Sequence, residues 1–312
     1  MEPGSRASHI FYNRDEQAGA SLLRRIDRIM PYLLVAPALV YMLFFVGYPL
    51  VQGIRLAFFD EKGHFTTANI DYLLHSPLSR FRDALVYTLV ITGIVVPTEF
   101  VIALLMAFFF TSFRFRGRSA AIYVAVLPLT ISDVAAGLIW YSMLTGNGFL
   151  NKLLVNLGLI SHPVQFFGWA HRDMELLAIV ITEIWRSTAI VFIILFAGLQ
   201  MISSEYLEAA EVFGASTFQR LRYIVFPLLL PSIQAALLIR TLFALQIFGD
   251  VWILAGRDIP VLAGEAYYEQ VELHHAGVAA LYALIIAAIS IGLGALYIKV
   301  FRAKYLEAGA AS

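Results

Sequence analysis

The sequence predicts an all-α polytopic membrane protein with six transmembrane helices, and three observations carry that prediction. Hydrophobic residues make up 60% of the 312 and charged residues only 14%, against about 45–50% and about 25% in soluble globular chains. A mean hydropathy of +0.77 reflects more apolar surface than one core of this size hides, so much of it faces lipid. Six apolar runs also approach the roughly 20 helical residues that a hydrocarbon layer about 30 Å thick requires.

The runs cover residues 33–51, 84–110, 120–144, 176–200, 228–254 and 276–298. The first follows Arg24, Arg25 and Arg28 as a signal peptide would. Its 19 uncharged residues exceed the usual apolar core of such a peptide, and no small-residue cleavage site follows. It therefore reads as an uncleaved span. The expected organisation is a tail at 1–30, a six-helix domain at 31–301 and a second tail at 302–312. Thirteen Lys and Arg residues fall before the first run, after the last run and in the loops at 111–119 and 201–227, against seven in the longer alternate loops. The positive-inside rule then places both termini in the cytoplasm of a multi-pass cell-membrane protein. Between the third and fourth runs, Phe149, Leu150, Leu153, Leu154 and Leu157 recur at helical spacing opposite Asn151, Lys152 and Asn156. This pattern predicts a short interfacial helix at about 149–158 on the outer side.

Composition excludes several functions. Lys plus Arg (22) equals Asp plus Glu (22), which gives no basic surface for nucleic acid. With no cysteine, disulfides, zinc-thiolate sites and cysteine nucleophiles are ruled out. All seven histidines lie outside the apolar runs, so no metal site is expected within them. No Gly-Lys pair occurs anywhere, and a phosphate-cradling loop needs one.

The loop at 201–227 has a structure of its own. Ser204 is the expected cap of a first helix, with Glu205 against the positive end of its dipole. At 100° per residue, Glu205, Glu208 and Glu211 share an arc of about 120°, with Tyr206, Ala210 and Phe213 roughly opposite. Gly214 suits a left-handed stop, and Ser216 with Gln219 suits a capping box. A second helix is expected to about Phe226, with Pro227 opening the fifth span. The product is a helix–glycine–helix elbow projecting into the cytosol.

Six charged residues lie within the runs: Glu99, Asp133, Glu183, Arg186, Arg240 and Asp250. Each costs at least about 2.5–3.5 kcal/mol at mid-depth, so each is expected to face a cavity or a partner. Glu183 and Arg186 are three apart and share a helix face. Arg240 lies about 18 Å into the fifth span, near its middle. Glu99 and Asp133 read as helix-to-helix hydrogen-bonding groups, and Asp250 as a gating or snorkelling residue.

Glu208, Ala209 and Ala210, then Gly214, Ile224 and Pro227, resemble the E-A-A loop of permease subunits of binding-protein-dependent ABC importers. Further residues resemble the maltose-type carbohydrate permeases: 32–38, Leu127 with Pro128, Trp140, 148–151, Trp185, 197–200 and 297–301. Departures are Phe213 where Asp is usual, Phe226 where Leu is usual, and 255–258 in place of a Thr-Gly-Gly-Pro stretch.

The resemblance implies a type I importer permease fold whose elbow supplies coupling helices to a cytoplasmic ATPase. It also implies a second homologous permease, two ATP-binding subunits holding ATP and Mg, and an extracytoplasmic sugar-binding protein, with no cofactor on this chain. The implied cargo is a carbohydrate, a di- or oligosaccharide, with polyol phosphates still open. In that family the residues at these positions line the pathway: Glu183, Ser187 and Ile190 before the loop, and Arg240, Phe243 and Ile247 after it. Arg186, Trp140, Gln246 and Asp250 are further candidates. Mutual neutralisation of Glu183 and Arg240 is the alternative for that pair. An ion-coupled carrier or channel with an unrelated loop is the alternative for the whole chain.

Overall fold

A computed structural model describes the backbone of residues 30–309 and the side chains of residues 30–300. The arginine-bearing tail before residue 30 and the side chains of the second tail lie outside the described residues. The chain divides into two units, 1–56 and 57–312.

In the first unit lies most of α1 (Met30–Phe58), whose large apolar side chains between Tyr32 and Leu56 are exposed, Leu34 at 73% and Phe44 at 68%. A helix apolar on every face belongs in lipid or against another membrane helix.

The second unit holds α2 (Ala68–His75), α3 (Phe81–Ser112), α4 (Arg118–Val126), α5 (Asp133–Leu144), α6 (Phe149–Asn156) and α7 (Arg172–Gln200). It continues through α8 (Ser204–Val212), α9 (Thr217–Ala244), α10 (Gly249–Leu254), α11 (Leu262–Val271) and α12 (Ala276–Gly309). Among the described residues the only β pairing is a single bridge between Phe59 and Phe65. Five helices are long and apolar enough to span a bilayer, and α4 with α5 and α6 forms a sixth, bent candidate.

Two of the expected straight spans are broken. The third bends by 103° between Arg118–Thr130 and Asp133–Asn156. Pro128 brings a 3₁₀ turn at Leu127–Thr130, and Ser132 then caps a new helix by accepting the Ala135 amide at 3.3 Å. The fifth span stops at Ala244 instead of running to 254, and Phe248 leaves helical geometry at φ −151°. The restart, α10, lies on α5 through two glycines: a Cβ on Gly137 would meet the Asp250 backbone at 3.1 Å, and one on Gly249 would meet Asp133 Cβ at 3.0 Å. Hydropathy cannot register this break, because 245–248 is as apolar as a helix interior.

Asn151 departs from its expected place on the wet face of α6. It is buried, donates to the carbonyls of Thr145 and Val164, and accepts the Val164 amide. Phe149, Leu153 and Leu157 form the exposed apolar face. In the atypical segment at 255–258, Arg257 makes a two-pronged pair with buried Glu265 at 2.9 and 2.6 Å and stacks 3.6 Å from the Tyr268 ring.

The core of the second unit is built around α3 and α7. One cluster joins Ala103, Ala107 and Phe110 of α3 to Phe192 and Leu195 of α7 and to Leu229 and Ile233 of α9. Another joins Ile91 and Val95 to Ile179, Ile247 and Val251. Gly198 sets the approach of α7 to α9: a Cβ there would overlap Ser232 Oγ and lie 2.9 Å from Leu229 Cδ1. Gly198→Ala is therefore expected to lose about 1–3 kcal/mol by overpacking. Gly93→Ala in α3, where nothing lies within 4 Å of the added carbon, should be neutral or slightly stabilising. Thermal unfolding of the detergent-purified protein measures both.

Candidate functional site

Five of the six charged residues of the apolar runs meet in one chain of ion pairs. Arg240 of α9 donates from Nε to Glu99 Oε2 of α3 at 2.5 Å and from Nη2 to Glu99 Oε1 at 3.1 Å. The same Nη2 also donates to Glu183 Oε2 of α7. Arg186, one turn along α7, pairs with Glu183 Oε1 at 2.6 Å and with Asp133 Oδ1 of α5 at 2.9 Å. Asp250 of α10 is fully buried with its carboxyl beside that of Glu183, and its Oδ1 accepts the Val251 amide at 2.9 Å.

Four helices, α3, α5, α7 and α9, are tied together by the five paired side chains, and buried Asp250 of α10 lies beside them. Glu99, Glu183 and Arg240 are each at most 2% exposed, whereas the Asp133 side chain is half exposed and that of Arg186 is 19% exposed. The network thus has an internal end and a wet end. A cavity of about 340 Å³ opens at the wet end, lined by Leu129, Asp133, Glu183, Arg186, Ser187, Ile190, Arg240, Phe243, Gln246 and Ile247.

Eight of the ten pathway candidates line this cavity: Glu183, Arg186, Ser187, Ile190, Arg240, Phe243, Gln246 and Ile247. Trp140 does not. It packs on Trp185 at 5.9 Å and is half buried. Asp250 is no snorkelling residue either, since α10 turns it inward onto Glu183. The alternative of mutual neutralisation describes the geometry of Glu183 and Arg240, with Glu99 as a third member. Asp133, expected to be a helix-to-helix group, also reaches the cavity wall. Its position at the first turn of α5 follows from the bend that hydropathy missed.

At the other end of α9 lies the elbow. Ser203, not Ser204, caps α8, accepting the Glu205 amide at 3.3 Å. Gly214 has φ +78°, and the Ala215 amide reaches back to the Ala210 carbonyl at 2.9 Å, the Schellman closure of a helix end. Ser216 and Gln219 form the reciprocal capping box, at 2.7 and 3.3 Å. Glu208 and Ala209 are exposed and Ala210 is half buried on α8. Leu207, rather than the Tyr206, Ala210 and Phe213 side, packs towards the core, leaving Phe213 90% exposed at the tip. Glu211 pairs with Arg220 at 2.9 Å, so one acid of the acidic arc is used within the elbow.

The second elbow helix does not end near Phe226. It continues as α9 through a π turn at Leu221–Val225, with Ile224 half buried and Pro227 exposed just beyond. The wider turn accommodates a proline ring that a regular α turn would place against the preceding carbonyl.

Residues 72–303 match the family described as binding-protein-dependent transport system inner membrane component. The chain belongs to this family. As a member it is a multi-pass membrane component of a transport system. Its similar relatives include the trehalose transport system permease protein SugA of Mycobacterium tuberculosis, 31% identical over 75% of each chain. The trehalose/maltose transport system permease protein MalF of Thermococcus litoralis is 28% identical over 76% of this chain and 80% of its own. A chain in the crystal structure of a bacterial ABC transporter involved in the import of the acidic polysaccharide alginate superposes with a TM-score of 0.78 at 22% identity. The match covers 91% of this chain and 99% of that one. The six-helix importer-permease fold is therefore shared.

The buried network makes Arg240 a structural keystone as well as a wall of the cavity. Arg240→Met would strand two buried carboxylates, and a loss of about 3–5 kcal/mol is expected. Glu99→Gln, Glu183→Gln and Arg240→Met combined, with no charge left unpaired by the change, should recover most of it. Detergent melting temperatures of the single and triple variants test this.

Proposed function

We propose that this chain is one of two permease subunits of an ATP-driven, binding-protein-dependent importer for a carbohydrate, a di- or oligosaccharide. A second homologous permease completes the path, and an extracytoplasmic sugar-binding protein delivers cargo. Two cytoplasmic subunits bind ATP and Mg and hydrolyse the nucleotide, with no cofactor on this chain. Both termini lie in the cytoplasm.

The continuity of α9 carries this reading. One helix begins at the capping box beside Gly214 and ends at Ala244, just past Phe243 on the cavity wall. A displacement of the elbow by an ATPase is therefore transmitted along a single rigid element to the groups that line the path. Glu208, Ala209, Ala210, Gly214, Ile224 and Pro227 form the ATPase-coupling set. Asp133, Arg186, Ser187 and Gln246 offer hydrogen bonds to sugar hydroxyls, and exposed Phe243 offers an apolar ring to a sugar face. Trehalose, maltose and lactose transport in the names of the relatives supports a neutral disaccharide. The acidic cargo of the alginate transporter belongs to a protein that shares the fold at 22% identity.

Reconstitution of this chain with its sister permease, ATPase pair and binding protein in proteoliposomes tests the function, with ATP-dependent uptake of labelled trehalose, maltose and lactose as the readout. Uptake driven by a proton or sodium gradient without ATP would overturn it in favour of the ion-coupled alternative. Gly214→Val should leave insertion and pairing with the sister intact. The left-handed position costs any side chain about 1 kcal/mol or more, while nothing in this chain lies within 4 Å of its added Cβ. ATPase recovered through a tag on the sister, or its stimulation by loaded binding protein, is expected to fall. Normal recovery and stimulation would remove the elbow from coupling.

A further inference from the structure

Four carboxyl groups and two guanidinium groups make up the network behind and along the cavity: Glu99, Glu183, Asp133 and Asp250 against Arg186 and Arg240. Both cations hold carboxylates, while Arg186 Nε is buried without a partner and out of reach of the cavity. Arg240 spends its Nε and Nη2 on Glu99 and Glu183, and Arg186 spends Nη1 and Nη2 on Asp133 and Glu183. No other Lys or Arg lines the cavity among the described residues. With every carboxyl ionised the network carries two negative charges. Protons on Glu99 and Asp250, the two members with no outlet to the cavity, bring it to neutrality and no further. A positive wall requires protonating Asp133 or Glu183, each of which already holds a guanidinium.

We propose that this wall is an anion-rejecting filter: it passes uncharged polyhydroxylated solutes and disfavours sugars that bear phosphate or carboxylate, with Asp133 as the residue that sets the sign. This rests on the carbohydrate reading above and narrows it, removing polyol phosphates and acidic sugars from the cargo. Asp133 is the specific element because its half-exposed carboxylate caps the only guanidinium that reaches the cavity with appreciable exposure. An anionic ligand has to displace Asp133 from Arg186 to gain a cation, and it releases a carboxylate beside itself in doing so. A sugar hydroxyl has no such competitor, since it accepts from and donates to the intact pair.

The absence of cysteine from the chain allows the field to be read without any sugar. Gln246 is an exposed cavity-lining residue, and Gln246→Cys places this chain's only thiol there. In the assembled importer in nanodiscs, the variant is treated with methanethiosulfonates bearing an ethyl-trimethylammonium, an ethyl-sulfonate or a neutral methyl group. Modification of this chain is followed by intact mass, with each rate divided by that reagent's rate towards a small free thiol. The cationic reagent is expected to exceed the anionic one by about tenfold or more. Adding Asp133→Asn should lower that ratio severalfold, and adding Arg186→Gln should raise it. A ratio near one, a preference for the sulfonate, a ratio unmoved by Asp133→Asn, or failure of the neutral reagent to react would each overturn the filter. Failure of ATP-driven sugar uptake by the wild type would instead sink the carbohydrate reading and leave the measured field standing.

Discussion

The pairing of Arg240 with Glu99 and Glu183 is the constraint on which the rest of the second unit depends. Three charges are buried at one level of their helices, with one hydrophobic cluster on either side. Val95, Val180 and Ile247 bound them on one side, and Ala103, Val191 and Ala236 on the other. Burying any one alone would be prohibitive, so α3, α7 and α9 can satisfy them only by meeting in one register. A one-turn slip of any of the three would leave a charge facing hydrocarbon. The network therefore selects the arrangement that the apolar clusters alone would tolerate in several versions.

From that fixed level the two functional ends follow. On one side, α9 extends without interruption through the π turn into the elbow, so one continuous helix joins the elbow to the network. In the other direction α9 stops at Ala244, and the glycines at 137 and 249 let α10 lie directly on α5. That break opens the cavity between Asp133, Arg186 and Phe243.

The elbow achieves its shape by local means. A serine cap, a left-handed glycine and a reciprocal capping box satisfy the helix-end amides and carbonyls within about fifteen residues. Its exposed Phe213 and Val212 would be a liability on a surface without a partner. Their placement beside Glu205 and Glu208 gives a surface of mixed apolar and acidic character.

Much of this was legible in the sequence, for identifiable reasons. Lipid imposes a length and an apolarity that any sequence must display, so the spans show. Capping and glycine stops are local, so the elbow shows too, apart from the one-residue displacement of its cap from Ser204 to Ser203. The E-A-A resemblance led to the family, and the two windows flanking it held most of the residues that line the cavity. What the sequence could not determine are relations between distant residues of similar local character. It named Glu99, Asp133, Glu183, Arg186, Arg240 and Asp250 as six costly charges, but which acid meets which base depends on helix rotation and register. The bends after Thr130 and after Ala244 were equally hidden, because the residues around them remain apolar, and hydropathy measures what surrounds a segment rather than the direction it takes. Only the packed structure decided that Arg240 faces inward to two carboxylates while Arg186 and Asp133 share the cavity wall, since burial of charge is settled by partners and not by the chain that carries it.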